Sequence, residues 1–284
     1  MKIQYKTTID ARTEGSMLDH LAEKTSLSKI KIKKAIGAGG CWIARPHLKK
    51  GKLLRLRKIK YELKAGDRLE FYFDENALAY DGPAPIPLFQ KKDWALWYKP
   101  VNVLSGPSKY GEVCAIDYMV RQLTGKDTVH VVNRLDREAS GIVALAYSRK
   151  GTARLSELWQ GTEVEKVYQL EVLGHVEDQT GEITFPIQGR EARTEYTLDA
   201  YRTDDLGRDC SRITARIRTG RFHQIRQHFS KLGHPVLGDP KYGQGNHHPD
   251  GLRLVSTEVH LDCPFSKKQI DMVLPEALRL WPQI

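Results

Sequence analysis

No acidic residue stands between Glu23 and Glu62, a tract that holds 13 Lys and Arg. A solvated charged face normally mixes signs, so this one-sidedness points to a polyanion, most commonly RNA or DNA phosphate. The tract lacks the bulky apolar face of an interfacial helix, which argues against an anionic membrane as partner. The imbalance is local. Residues 1–73 carry 18 Lys and Arg against 7 Asp and Glu, and the other 211 residues carry 27 against 28. Long hydrophobic runs are also missing: none approaches the ~20 residues that span a bilayer, and MKIQYKTTID holds no signal core, so a cytoplasmic protein is expected. Cysteine is scarce. Cys41, Cys114, Cys210 and Cys263 are far apart and form no CxxC pair, which excludes a zinc ribbon and a disulfide framework. HExxH is absent, and His223 and His228, five apart, do not share a helix face, so no metal is expected. The absence of a glycine-rich phosphate loop and of strict βαβ alternation excludes Rossmann and P-loop folds.

What is present divides the chain at 73 and 92. Residues 1–73 read as a small α+β module. Met17, Leu18, Leu21 and Ala22 follow helical spacing. Ser28 is placed to cap a second helix from Lys29 to Gly37, with Ile30, Ile32, Ala35 and Ile36 inward and Lys29, Lys31, Lys33 and Lys34 outward. Short strands are expected at 41–43, 53–56 and 68–73. Residues 74–92, with Pro83, Pro85 and Pro87 in alternation, read as an extended linker. Residues 93–284 read as a second domain mixing β and α. Its strands are expected at 94–98, 128–133, 141–147, 165–173, 193–201, 211–219 and 252–261, and its helices at 112–123, 149–160 and 222–232.

Three segments of this second domain carry candidate chemistry. In HVVNRLDREASG, residues 130–141, a polar turn between apolar strands holds Asn133, Arg134 and Asp136; carboxylates so placed are rare unless paired or used. Glu165 to Leu170 is a strand with Lys166 and Tyr168 on one face. Thr219 to His228 opens a helix that buries Phe222, Ile225, Phe229 and Leu232 and carries His223 and Arg226 on an adjacent face, followed by Gly233-His234-Pro235 and Gly238-Asp239.

In order and spacing these segments resemble the RluA-type RNA pseudouridine synthases over residues 94–264. The shared features are Arg134-Leu135-Asp136 with Ser140-Gly141, Lys166-Val167-Tyr168, Gly220-Arg221-Phe222-His223-Gln224-Ile225-Arg226, and the Gly-His-Pro and Gly-Asp pairs. Residues 1–73 are similar to the S4-like RNA-binding domain that often precedes this family. The resemblance implies a pseudouridine synthase fold: an S4-like α+β module followed by a catalytic α+β domain with a mixed, largely antiparallel sheet and flanking helices. It implies an isomerase acting on RNA uridine, with large-subunit ribosomal RNA as preferred substrate and tRNA as alternative. Asp136 would be the nucleophile, Tyr168 would stack on the base and help take a proton, and Arg226 would hold Asp136 ionised. Arg134, Lys166, Arg221 and His223 would contact RNA, joined by Lys29, Lys31, Lys33 and Lys34. No cofactor is implied, because product and substrate are isomers, and a monomer is expected. A non-catalytic RNA-binding or ribosome-assembly factor on the same fold is the rival reading. The chain departs from the family pattern at Tyr98, Asn133, Ala139, Phe222 and Val255, which bears on the choice of RNA site more than on the reaction.

Overall fold

The computed structural model describes residues 1–46, 51–266 and 268–281. Lys49 and Lys50 of the basic tract lie outside them. The chain forms two compact units, Met1–Gly82 with Gly106–Met119, and Pro83–Ser105 with Val120–Ile284.

The first unit runs β1 (Lys2–Thr8), β2 (Gly15–Ser16), α1 (Met17–Thr25), α2 (Lys29–Gly37), β3 (Cys41–Ala44), β4 (Leu54–Arg55), β5 (Glu62–Leu63), β6 (Arg68–Asp74) and α3 (Glu75–Leu78). Its main sheet has the order β1-β6-β3-β4. Ser28 caps α2 by accepting the Lys31 N–H at 3.4 Å. Met17, Leu21, Ile32, Ala35 and Ile36 close a core with Leu69, Phe71 and Phe73. Ile30, expected inward, is 79% exposed. It lies two residues, about 200°, from Ile32 and so points away from the buried stripe. The four lysines of α2 are exposed. Lys29 pairs with Asp19, Lys31 pairs with Glu75 at 2.8 Å, and among the described residues Lys33 and Lys34 carry no ion pair.

Residues 106–119 belong to this unit although they follow in sequence the strands of the other. Their backbone supplies the Ser108 carbonyl to Arg55 at 3.0 Å and the Lys109 carbonyl to Trp42 at 3.1 Å, and the Glu112 N–H donates to the Ala38 carbonyl. Arg55 also lies over the Trp42 ring, and Arg57 pairs with Glu112. Two arginines of the basic tract are thus engaged within the unit.

The second unit is built on a ten-stranded sheet with the order β12-β13-β14-β11-β15-β10-β8-β7, to which β9 and β16 attach. The strands are β7 (Ile86–Gln90), β8 (Trp94–Lys99), β9 (His130–Val131), β10 (Ser140–Ala146), β11 (Glu165–Leu173), β12 (Thr180–Ile183), β13 (Thr194–Thr203), β14 (Asp209–Ile217), β15 (Leu254–Asp262) and β16 (Gln269–Val273). The helices are α4 (Ile116–Thr124), which begins in the first unit, α5 (Arg149–Gln160) and α6 (Gln224–Lys231). All pairings but β10 with β15 are antiparallel, so the sheet is mixed and largely antiparallel. β8, β10 and β11 are buried almost throughout, as central strands require, whereas β13 alternates. β7 falls inside the expected linker. Pro87 is compatible with it because β7 is an edge strand, where a missing N–H removes no ladder bond. None of the described helices is long and apolar enough to cross a membrane.

Gly141 explains one motif residue. Its φ is +120°, and a Cβ there would sit 2.3 Å from the Ser256 carbonyl oxygen. Only glycine lets β10 meet β15 in parallel at the foot of the Asp136 turn.

Candidate active site

The Asp136 turn, between β9 and β10, is fixed from several sides. The Ser105 hydroxyl accepts the Leu135 N–H at 2.9 Å and donates to the Leu135 carbonyl at 2.6 Å. The Asn102 N–H donates to the Arg137 carbonyl at 2.7 Å. The Asn133 side-chain oxygen accepts the Ala144 N–H at 2.7 Å, tying the turn to β10. Asn133 therefore has a local bracing task.

Held in this way, the Asp136 carboxylate meets α6. Arg226 donates from Nη1 to Asp136 Oδ2 at 2.7 Å. The same guanidinium donates from Nε and Nη2 to the two oxygens of Asp239, at 2.7 and 2.8 Å. Arg226 is buried, and Asp239 also accepts the backbone N–H groups of Lys241 and Tyr242. Burial opposes the charge of Arg226, but its bonds to Asp239 and Asp136 outweigh it and raise its pKa. Burial likewise raises the Asp239 carboxyl, and the Arg226 bonds and two backbone donors more than reverse it. The result is one permanent cation between two carboxylates. One carboxylate is sealed in; the other is 22% exposed at its side chain.

His223 borders the open side. It sits at the N-terminus of α6 with φ 51° and ψ 34°, a left-handed conformation that costs a non-glycine residue about 1 kcal/mol. Gln224, buried, holds this turn: its side-chain oxygen accepts from Thr219 and from the Arg221 N–H, and its amide donates to Arg193 and Thr194. The His223 ring lies with Nδ1 3.1 Å from the Tyr242 hydroxyl and Nε2 3.4 Å from Asp136 Oδ1. Burial, opposed by Asp136 and assisted by Arg226 and Lys241, holds the imidazole below its ordinary pKa and so favours the neutral ring at pH 7.

Tyr168 is buried on β11 beside a bulge against β15. Burial pushes its phenol to about 12, an interaction with Ser256 partly offsets this, and the charge of Asp136 adds to it. The phenol stays protonated at neutral pH.

The remaining expected contacts divide. Arg134 is exposed, with no ion pair among the described residues. Arg221 is half-buried and donates to the Glu191 carbonyl at 2.9 Å. Lys166, expected to face RNA, is buried: its ammonium donates to the Arg218 carbonyl at 3.0 Å, and burial with the Arg218 charge lowers its pKa to about 8. It braces two strand ends, and Val167 and Tyr168, on opposite faces of β11, are buried as well. Phe222, expected in the buried stripe of α6, is 53% exposed; Ile225 and Phe229 carry that stripe. A cavity of about 530 Å³ elsewhere in the unit, lined by Arg193, Arg216 and Arg218, includes none of Asp136, Tyr168 or Arg226.

Two site residues escaped the sequence reading. Asp239 was visible only as half of a Gly-Asp pair, and no local spacing joins it to Arg226, 13 residues before it. Lys99 follows the strand expected at 94–98 and carried no functional expectation. It is fully buried, donates to the carbonyls of Pro100 at 2.9 Å and Val103 at 2.7 Å, and is brought by burial to about 7 against the opposing pull of Asp136 and Glu138. Among the described residues no group of three or more His, Cys, Asp or Glu is arranged to hold a metal.

Residues 93–231 match the family described as RNA pseudouridylate synthase. The chain is 32% identical over 213 residues to an uncharacterized RNA pseudouridine synthase of Aquifex aeolicus, covering 66% of each, just under two thirds of that protein. It is 30% identical over 186 residues to the dual-specificity RNA pseudouridine synthase RluA of Yersinia pestis, covering 60% of this chain and 86% of that protein. The solved structure of human RNA pseudouridylate synthase domain containing 1 superposes with a TM-score of 0.59 at 19% identity, covering 69% of this chain and 86% of that one, which shows a shared fold. The chain belongs to the RNA pseudouridine synthase family.

Proposed function

We propose that the protein isomerises uridine to pseudouridine in RNA, with Asp136 as nucleophile. The observation that carries this reading is the half-open Asp136 carboxylate, fixed at 2.7 Å by an arginine that a second, sealed carboxylate orients. Arg226 pairs with Asp136 and aims it. Asp136 attacks C1′ of the ribose as the N1–C1′ bond breaks, giving an ester to the sugar and a free uracil anion. The uracil turns, C5 bonds to C1′, and the ester bond returns its electrons to Asp136. The C5 proton then leaves and N1 takes one up, so the product is an isomer and no oxidant or second substrate is consumed. The protonated phenol of Tyr168 suits stacking on the base better than proton abstraction. The target must leave its stack to reach Asp136.

The N-terminal unit serves as the RNA grip, S4-like in role, with exposed Lys33 and Lys34 placed for phosphate contacts. We take large-subunit ribosomal RNA as the preferred substrate, tRNA as the alternative, and a cytoplasmic monomer as the working form. Mapping pseudouridine in the ribosomal and transfer RNA of cells lacking the protein tests this. One or more sites should vanish, chiefly in large-subunit RNA, and return with the wild-type gene. An unchanged map in both RNA classes overturns it.

A further inference from the structure

Phe222 is large, apolar and 53% exposed, yet it does not sit on a loose loop. Its ring stacks on His223 with centroids 3.7 Å apart and planes at 20°. His223 is itself held by Tyr242, whose ring meets it edge-on at 5.6 Å, and the intervening turn is locked by buried Gln224. The Lys241 ammonium lies 5.1 Å from the Phe222 centroid and 5.2 Å from that of Tyr242. An aromatic series therefore leads outward from Asp136, through His223 at 3.4 Å, to the half-exposed Phe222, with the Lys241 ammonium over its ring. Nothing in the packing of α6 requires an aromatic ring at 222, because Ile225 and Phe229 fill the core side.

We propose that Phe222 is a base-stacking residue that receives the RNA base flanking the target uridine. This rests on the reading of the protein as an RNA uridine isomerase. When a nucleotide leaves its stack, its neighbour loses a π-face contact, and a rigid ring at the mouth of the site replaces it. Lys241 is placed to meet the adjacent phosphate. The chain's departure from the family pattern at this position then has a purpose: it sets the preference for what flanks the uridine.

The test measures two things in parallel on wild type, Phe222→Leu, Phe222→Trp and Asp136→Asn. The first is equilibrium binding to poly(U), a single-stranded RNA in which every internal uridine is flanked by other bases, across a salt series. The second is pseudouridine formation in ribosomal and transfer RNA. Phe222→Leu should weaken poly(U) binding about 5- to 100-fold, the range for loss of one base–aromatic stack. The slope of log affinity against log salt should not change, because stacking releases no counterion. Phe222→Trp should restore affinity, and Asp136→Asn should bind as wild type does. Wild-type affinity in Phe222→Leu, a flattened salt slope, or failure of Phe222→Trp to restore binding overturns the stacking role. If wild type and Asp136→Asn alike yield no pseudouridine while the poly(U) pattern holds, the isomerase reading fails and the stacking site stands.

Discussion

Two carboxylates of the second unit are surrounded by arginine in opposite ways. Glu171, on β11, is fully buried and ringed by Arg202 at 2.8 Å, Arg212 at 3.3 Å and Arg253 at 2.8 Å. Burial pushes its carboxyl up, and the guanidinium groups, Arg253 foremost, more than reverse this. Asp136 has a single arginine, shared with Asp239, and keeps an open side. The first arrangement has an excess of positive charge around one closed anion; every oxygen is occupied and nothing can approach. The second has an excess of negative charge around one closed cation, and the surplus sits on the exposed carboxylate. Counting ion pairs would rank Glu171 as the more notable site. Access and charge balance favour Asp136 for the proposed role, because a nucleophile needs a free lone pair as well as a fixed position.

The difference breaks cleanly under substitution. Asp136→Asn should lower pseudouridine formation by at least about 10⁴-fold, measured in single turnover, with a change in unfolding free energy under about 1 kcal/mol. Glu171→Gln should do the reverse. Stranding three guanidinium groups should cost about 3 kcal/mol in urea unfolding and leave turnover per folded molecule near wild type. Asp239→Asn falls between them, since it leaves Arg226 half-oriented: turnover should drop about 10²-fold with RNA affinity nearly unchanged, and a pure affinity loss would make Arg226 a phosphate contact.

The smallest effect concerns Lys99. Its folded pKa of about 7 lies below the ordinary lysine value of 10.5. Between these two values the unfolded chain binds more protons, so stability rises with pH across this window. Relative to Lys99→Met, the wild-type stability should climb from pH 7 to 10 by no more than about 1.4 kcal/mol per pH unit. Parallel curves for the two proteins would mean that the buried ammonium keeps its charge throughout.

The same contrast marks what could be read from the chain. The Asp136 turn, the Lys-x-Tyr strand and the α6 motif were legible because local spacing carries them, and Ser28 announced α2 through its cap. The Glu171 cluster was not: Arg202 and Arg212 come from β13 and β14 and Arg253 from the residue before β15, and only strand pairing and the path of the chain into β15 bring them together. The bidentate Arg226–Asp239 contact likewise spans a loop with no period. Lys166, an RNA contact by resemblance, is buried because β11 is covered on both faces, which alternation along the strand does not reveal. Residues 106–119 could not be assigned to the first unit: some of their contacts there, such as Trp42 with the Lys109 carbonyl, use backbone atoms that every residue possesses, and the Arg57–Glu112 pair joins residues 55 positions apart.

Asp136 is the residue on which the account turns. Purified wild-type protein and Asp136→Asn should be incubated with ribosomal and transfer RNA lacking pseudouridine, and the products mapped at single-nucleotide resolution. Pseudouridine should form at discrete uridines with the wild type and not with Asp136→Asn, both proteins binding the RNA equally. Equal modification by the two proteins would contradict it.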